Sequence, residues 1–384
     1  MENFSEIMAQ IVSDGYYILP DNRKVIYDLN IFYQEQDRIL SNDMAEKSGT
    51  FSFAVFRAAL YNWGQGKNLD ADSKCFGQYL QNRYLNDLRS NTFRFPELIS
   101  VKSERQELKD RFLVDMESSD GPFIINSFHY SSYKSLFNFL IYNGFNVYMI
   151  ASKRVIERNQ KDCEFYAYVI NYAYGKNSKV NYVCAEDYNS LIKLSEDMKK
   201  QKEVTKTVLL LFPDGNVGTK KVIDEKRQEE IQIINKTFWV RKGIFIFAEI
   251  FNIPVYNVLV DYTSENDNYI DILDFIESPR EFKRNGGNML SLFYGKLGER
   301  LQEENMYKWE CWLYIHSWSQ HPLPKVEERE YVSTENYDEF RFTLFDMDQK
   351  RYIFDSKYYL SYLIISDDIS VPIKSLVLNN NIVL

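Results

Sequence analysis

Between residues 121 and 262 short, densely apolar runs alternate with longer segments whose apolar residues recur three and four apart. The runs PFIINSF, FNVYMIA, KVNYVCA, KTVLLLFPDG and IPVYNVLVDY read as strands, and SYKSLFNFLIYNG, DYNSLIKLSEDMKKQ and WVRKGIFIFAEIFN as helices, the first closed by Gly144. FYAYVINYAYG stands between the second and third strand. This alternation predicts an α/β fold, a central mixed sheet flanked by helices. Ligands in such sheets bind at the carboxyl ends of the strands. Two of those ends carry chemistry here: FHYSS after the first strand and FPDGNVG after TVLLL.

The flanks read differently. Residues 1–110 form a mainly helical region, with helical spacing in SFAVFRAALYNW and CFGQYLQNRYLNDLRS and a hairpin around PDNR. SERQELKDRFLVDM reads as a further helix of this approach to the 111–322 core, and residues 298–320 read as a long Trp-rich helix. The Pro-containing stretch 322–330 is the linker candidate. Beyond it, 331–384 reads as a small α+β extension with strands EFRFTLFD and KRYIFD and a helix SKYYLSYLIIS. It bears a faint resemblance to the winged-helix modules that bind leader peptides.

Composition removes several classes of function. With 46 basic against 55 acidic residues the chain carries a net charge of -9 and no long basic run, so nucleic acid is not an expected partner. Cys75, Cys163, Cys184 and Cys311 form no C-x-x-C pair, which predicts reduced structural thiols and no metal site. The segment MENFSEIMAQIVSDGYY lacks the basic start and apolar core of a signal peptide, and no stretch reaches the roughly 18 apolar residues of a membrane span. The expected compartment is the cytoplasm. Aromatic residues make up 16% of the chain, which fits core filling and leaves room for peripheral contact with a membrane.

His129, at a strand end and just before a helix, is placed to act as a base; the helix N-terminus beside it disfavours protonation. The plain alternative is a buried or helix-capping histidine. FPDGNVG sets Asp214 and Asn216 just past a strand, with Gly215 and Gly218 allowing tight backbone geometry. It is not a phosphate-binding P-loop, since no Ser or Thr follows its lysine at the required spacing. Cys311, His316 and His321 are five apart and share no helical face, so they form no metal site, and Trp309, Trp312 and Trp318 read as packing residues.

Taken in order, these pieces resemble the late lipid A acyltransferases, the lauroyl and myristoyl transferases of the glycerophosphate-type acyltransferase superfamily. The resemblance runs from about 110 to 322 through GPFIINSFHYSSYKSLFNFL, GFNVYMIASKRVIERN, LLLFPDGNVGTKK, FWVRKGIFIFAEIFNIPVYNVLV and YKWECWLYIHSW. It implies transfer of an acyl group from an acyl-carrier-protein or acyl-CoA thioester to a hydroxyl or amine, with no bound cofactor. Carried over by position, it implies His129 as the general base, Arg154 as the substrate-side arginine and Asp214 as the turn aspartate.

One position departs from the family pattern. The acid of its His-x4-acid motif is replaced by Lys134. An ammonium cannot accept the imidazole N–H and lowers the histidine's pKa. Three arrangements are open. Asp214 or another carboxylate orients His129 while Lys134 serves a donor phosphate or substrate carboxylate; the site works by positioning alone; or the fold keeps the pocket only to bind a peptide or carrier-linked partner. The family's lipid A members begin with a membrane anchor, so a soluble peptide or natural-product acceptor is expected here instead.

Overall fold

The structure, a computed structural model, describes residues 4–44, 47, 49–118, 122–200, 206–215, 228–234, 236–263, 265, 267–302, 304–315, 338, 340–357, 359–366 and 369–372. Its centre is a seven-stranded sheet. Numbered along the chain, the strands are β1 (Ile99–Lys102), β2 (Phe123–Asn126), β3 (Asn146–Ala151), β4 (Val180–Cys184), β5 (Thr207–Leu211), β6 (Val255–Tyr262) and β7 (Asn268–Ile276). Their spatial order is β1-β7-β6-β2-β5-β3-β4. β2 to β6 are mutually parallel, and β7, antiparallel to β6, runs with β1. The expected mixed α/β sheet is therefore present.

The apolar runs are dense because the middle strands are covered on both faces. Successive side chains alternate between two cores. Ile124, Leu209 and Leu211 enter one, with Phe245 and Ala248 of the helix Gly243–Phe251. Phe123, Ile125, Val208 and Leu210 enter the other, with Leu136, Leu140 and Ile141 of the helix Lys134–Tyr142. Gly144 ends that second helix at φ +86°, and Phe145 N–H reaches back to the Leu140 carbonyl, the closure a left-handed residue permits.

The crossovers fix where a ligand can bind. From β2 the chain passes over β5 to reach β3, and from β5 it passes over β2 to reach β6. Crossovers in opposite directions put the following helices on opposite faces, as the two cores record. The carboxyl ends of β2 and β5 are then the switch point of the sheet, the place where such folds bind ligands.

Several expectations need correction. The N-terminal region is mainly helical with the hairpin Tyr16–Ile18/Lys24–Ile26 around PDNR, but it also supplies β1, so a boundary at 110 would cut the sheet. Residues 239–241 are strand, not helix: Gln228–Ile233 and Lys236–Arg241 form an antiparallel hairpin, and the helix starts at Gly243. The Trp-rich helix breaks after Arg300 into two short 3-10 turns, Met306–Lys308 and Glu310–Leu313. SKYYLSYLIIS contains the strand Leu360–Ser366. That strand joins Phe342–Met347, Lys350–Asp355 and Ile369–Pro372 in a four-stranded antiparallel sheet, with no helix among the described residues of this extension, so the winged-helix likeness fails there. The linker candidate 322–330 lies outside the described residues.

That C-terminal sheet is fastened to the N-terminal region. Arg57, on the helix Phe51–Asn62, pairs with Asp72 at 2.9 Å, with side chains 2% and 3% exposed, and donates to the Phe342 carbonyl and the Thr343 hydroxyl. Asn62 donates to the Ser356 carbonyl at 2.7 Å. Removing one member of such a pair leaves an uncompensated charge in the interior. Arg57→Ala is therefore expected to destabilise the chain by about 3–5 kcal/mol, read as a lowered urea midpoint.

Candidate active site

His129 and Asp214 come from the two strands that flank the switch point. Asp214 follows β5 by three residues and is fully buried, whereas the His129 side chain, past β2, keeps 21% exposure. Asp214 Oδ1 lies 2.7 Å from His129 Nδ1, and Oδ2 accepts the His129 backbone N–H at 2.9 Å. Oδ2 also accepts the indole N–H of Trp309 at 2.9 Å and the thiol of Cys311 at 3.2 Å. Burial raises the pKa of Asp214, but the facing imidazole and these donors outweigh it and hold the carboxyl below its ordinary range.

An ionised carboxylate only accepts, so Nδ1 of His129 must be the donor. In the neutral ring the lone pair then sits on Nε2. Burial pushes the His129 pKa down; the charge and hydrogen bond of Asp214, with help from Glu310, reverse that and raise it, while Lys134 pulls the other way without prevailing. Lys134 lowers the histidine's pKa as expected, but the net shift is upward, opposite to the direction expected from the helix N-terminus. A hydrogen-bonded carboxylate outweighs a more distant cation whose charge is already matched.

Lys134 opens the helix Lys134–Tyr142, and its ammonium is ion-paired with Asp87 of the helix Leu69–Ser90. It is a neighbour of His129 and not the partner that orients its ring; Asp214 holds that position. Arg154 is exposed in the first turn of the helix Lys153–Tyr174, which follows β3 and is capped by Ser152. β3 stands two strands from β2, so Arg154 begins roughly 10 Å along the same sheet edge. Asn216 lies outside the described residues, as do Gly218, His316, Trp318 and His321.

The loop carrying His129 is held from outside the sheet. Ser131 adopts φ +50°, a conformation a serine reaches only under restraint, and its N–H donates to the Lys308 carbonyl at 2.7 Å. Ser132 N–H donates to the Val260 carbonyl, and its hydroxyl accepts from the buried Arg89 guanidinium at 2.6 Å. Glu310 N–H donates to the His129 carbonyl at 2.8 Å. Glu310 Oε2 accepts from the Tyr133 hydroxyl at 3.3 Å, and Oε1 accepts from Asn86 at 2.9 Å. Tyr133 and Phe212 wall the imidazole, with ring centroids 4.6 and 5.3 Å away.

Trp309, Glu310, Cys311, Tyr133 and Arg89 are the site residues that the sequence reading did not assign. Trp309 read as packing on a long helix. It is extended instead, at φ -92° and ψ 120°, and pairs with Tyr130 in an antiparallel bridge. That break turns the indole onto Asp214. Tyr133 did carry a signal, lying one turn after His129 within the same FHYSSYK stretch.

No family model and no curated protein matches this chain. The chemistry must therefore be read from the groups themselves. One ligand-type atom from each of His129, Asp214 and Cys311 lies within 4.8 Å of the others. Hydrogen bonds draw the three together, however, and Asp214 Oδ2 already accepts three of them. Burial first, then the Asp214 charge, pushes the Cys311 thiol well up, so it stays protonated and is neither a ready metal ligand nor a nucleophile. What remains is an imidazole with one nitrogen fixed by a buried carboxylate, on a side chain that keeps partial exposure.

Nuclear magnetic resonance titration of His129 should give a midpoint above the ordinary imidazole value of about 6.5. In Asp214→Asn the midpoint should fall, because burial and Lys134 then act with only Glu310 opposing them. The folded pKa of His129 is raised and that of Asp214 lowered. The pair's contribution to stability is therefore complete between about pH 4 and about pH 6.5. It fades as pH falls through the folded Asp214 value or rises through the folded His129 value.

Proposed function

We propose that the protein is an acyltransferase that moves an acyl group from an acyl-carrier-protein or acyl-CoA thioester to a hydroxyl or amine of a soluble acceptor, a peptide or natural product. The observation that carries this reading is the His129–Asp214 pair at the switch point. In this reading it replaces the family's local dyad with a carboxylate brought from β5.

The His129–Asp214 geometry supports the following step. His129 Nε2 accepts the acceptor's proton as its oxygen or nitrogen attacks the thioester carbonyl carbon. Asp214 holds Nδ1–H and stabilises the imidazolium so formed. When the tetrahedral intermediate collapses, the C–S bond breaks and the imidazolium returns the proton to the leaving thiolate. Water is conserved as a competing acceptor unless excluded, and Tyr133 and Phe212 shield two sides of the ring. Lys134 and Arg154 supply cations along the same sheet edge for the donor's phosphate; Lys134 would exchange Asp87 for it.

Intact-mass analysis of the chain incubated with a panel of acyl-CoA and acyl-carrier donors plus acceptor-containing extract tests the assignment. Acylated product should form with the wild type and vanish with His129→Ala. Asp214→Asn should retain the fold yet lose roughly three to four orders of magnitude in rate, the scale seen when a base loses its orienting carboxylate. The acid limb of the pH–rate profile should lie above pH ~6.5, since the base works only when neutral. Donor or peptide bound equally by wild type and His129→Ala, with no turnover by either, would replace the enzyme by a binding protein.

A further inference from the structure

The helix Gly243–Phe251 reads GIFIFAEIF, with Glu249 its only charged residue. A helix on the surface of a sheet normally turns a polar face to water. Here Phe245 and Ala248 are buried against the sheet, while Ile246 and Ile250, four residues apart on one face, stay 36% and 58% exposed. Phe247 and Phe251 lie half-buried on the same helix with their rings 4.6 Å apart, packed against the core at the edge of this face. A single exposed isoleucine is ordinary; a run of large apolar side chains on one short helix is the mark of a contact surface.

The chain builds a cationic rim beside this face. Asn252, left-handed at φ +52°, ends the helix, and its side-chain oxygen accepts from the Ser278 hydroxyl and the Arg280 N–H, both at 3.0 Å. Those bonds dock the short helix Pro279–Arg284 there. The Arg280 guanidinium donates to the Ile250 carbonyl at 2.6 Å, and Lys283 pairs with Glu249. Lys242 stands at the other end and Arg284 is exposed. Lys242, Arg280, Lys283 and Arg284 against Glu249 and Glu281 leave the rim net positive on a chain whose total is -9.

We propose that this face docks on the surface of an anionic lipid bilayer. The side chains of Ile246 and Ile250 enter the boundary between headgroups and acyl chains, and Arg280, Arg284 and Lys242 meet the lipid phosphates. A second copy of the chain fits less well, because a two-fold contact would oppose two cationic rims. Among the described residues no helix is long and apolar enough to cross a membrane, so the contact is with the surface. This goes beyond the acyl-transfer reading and does not depend on it.

The test is co-sedimentation of the full chain, without any donor, with phosphatidylcholine vesicles and with vesicles that also contain phosphatidylglycerol. Wild type should sediment with the anionic vesicles, less with the neutral ones, and partly detach in high salt. Ile246→Gln/Ile250→Gln, at exposed positions and with an unchanged thermal melt, should bind about tenfold or more weakly. Arg284→Glu should reduce binding to the anionic vesicles only. Wild type left in the supernatant, or a double variant that sediments as wild type does, overturns the proposal. A dimer in light scattering that the double variant dissolves, with no vesicle binding, overturns it in favour of a second copy.

Discussion

The carboxylate of Asp214 sits where water cannot reach it, and a charge in that position is tolerated only if its lone pairs are filled. It is filled from three segments: the loop after β2 through His129, the extended stretch at Trp309, and Cys311 in the turn that follows. Satisfying one buried oxygen pair therefore fixes the geometry of the whole switch point. The same bonds that make the charge affordable orient the imidazole, so the energetic requirement and the chemical one coincide.

A second layer restrains the first. The helix Leu69–Ser90 holds the loop after His129 and the helix that follows it, with Asn86 accepting the Lys134 N–H, Asp87 paired with the Lys134 ammonium, Arg89 on the Ser132 hydroxyl, and the Ser90 carbonyl accepting from Asn138. Arg89 is fully buried, and burial brings its pKa down to about 10, still well above neutrality. Its guanidinium lies 4.2 Å from the Tyr262 ring, whose face offsets part of the desolvation. The N-terminal region is consequently a wall of the site as well as a source of an edge strand.

Much of the fold was legible in the sequence. The strands β2 to β6, the Gly144 stop and the PDNR hairpin follow from apolar density, spacing and turn chemistry, all local properties, whereas β1 and β7 were not read from the sequence. The misread elements share one physical cause. Residues 239–241 and 360–366 are apolar stretches too short for periodicity to distinguish helix from strand, and their partners in the ladder decided. The Trp309 stretch carries helical composition, yet tertiary hydrogen bonds to Tyr130, His129 and Asp214 hold it open.

By itself the sequence determined that the sheet would be covered on both faces, that His129 and Asp214 would each stand at a strand end, and that the position where a local acid is expected holds Lys134. It could not determine that β2 and β5 are neighbours, because strand order is set by crossover handedness and burial over the whole chain. That adjacency brings a carboxylate 85 residues away within 2.7 Å of the imidazole. It also leaves Lys134 free to pair with Asp87. Residue types at strand ends are written locally, whereas the pairing of those ends is a tertiary outcome, and the reversal of the expected histidine pKa followed from it.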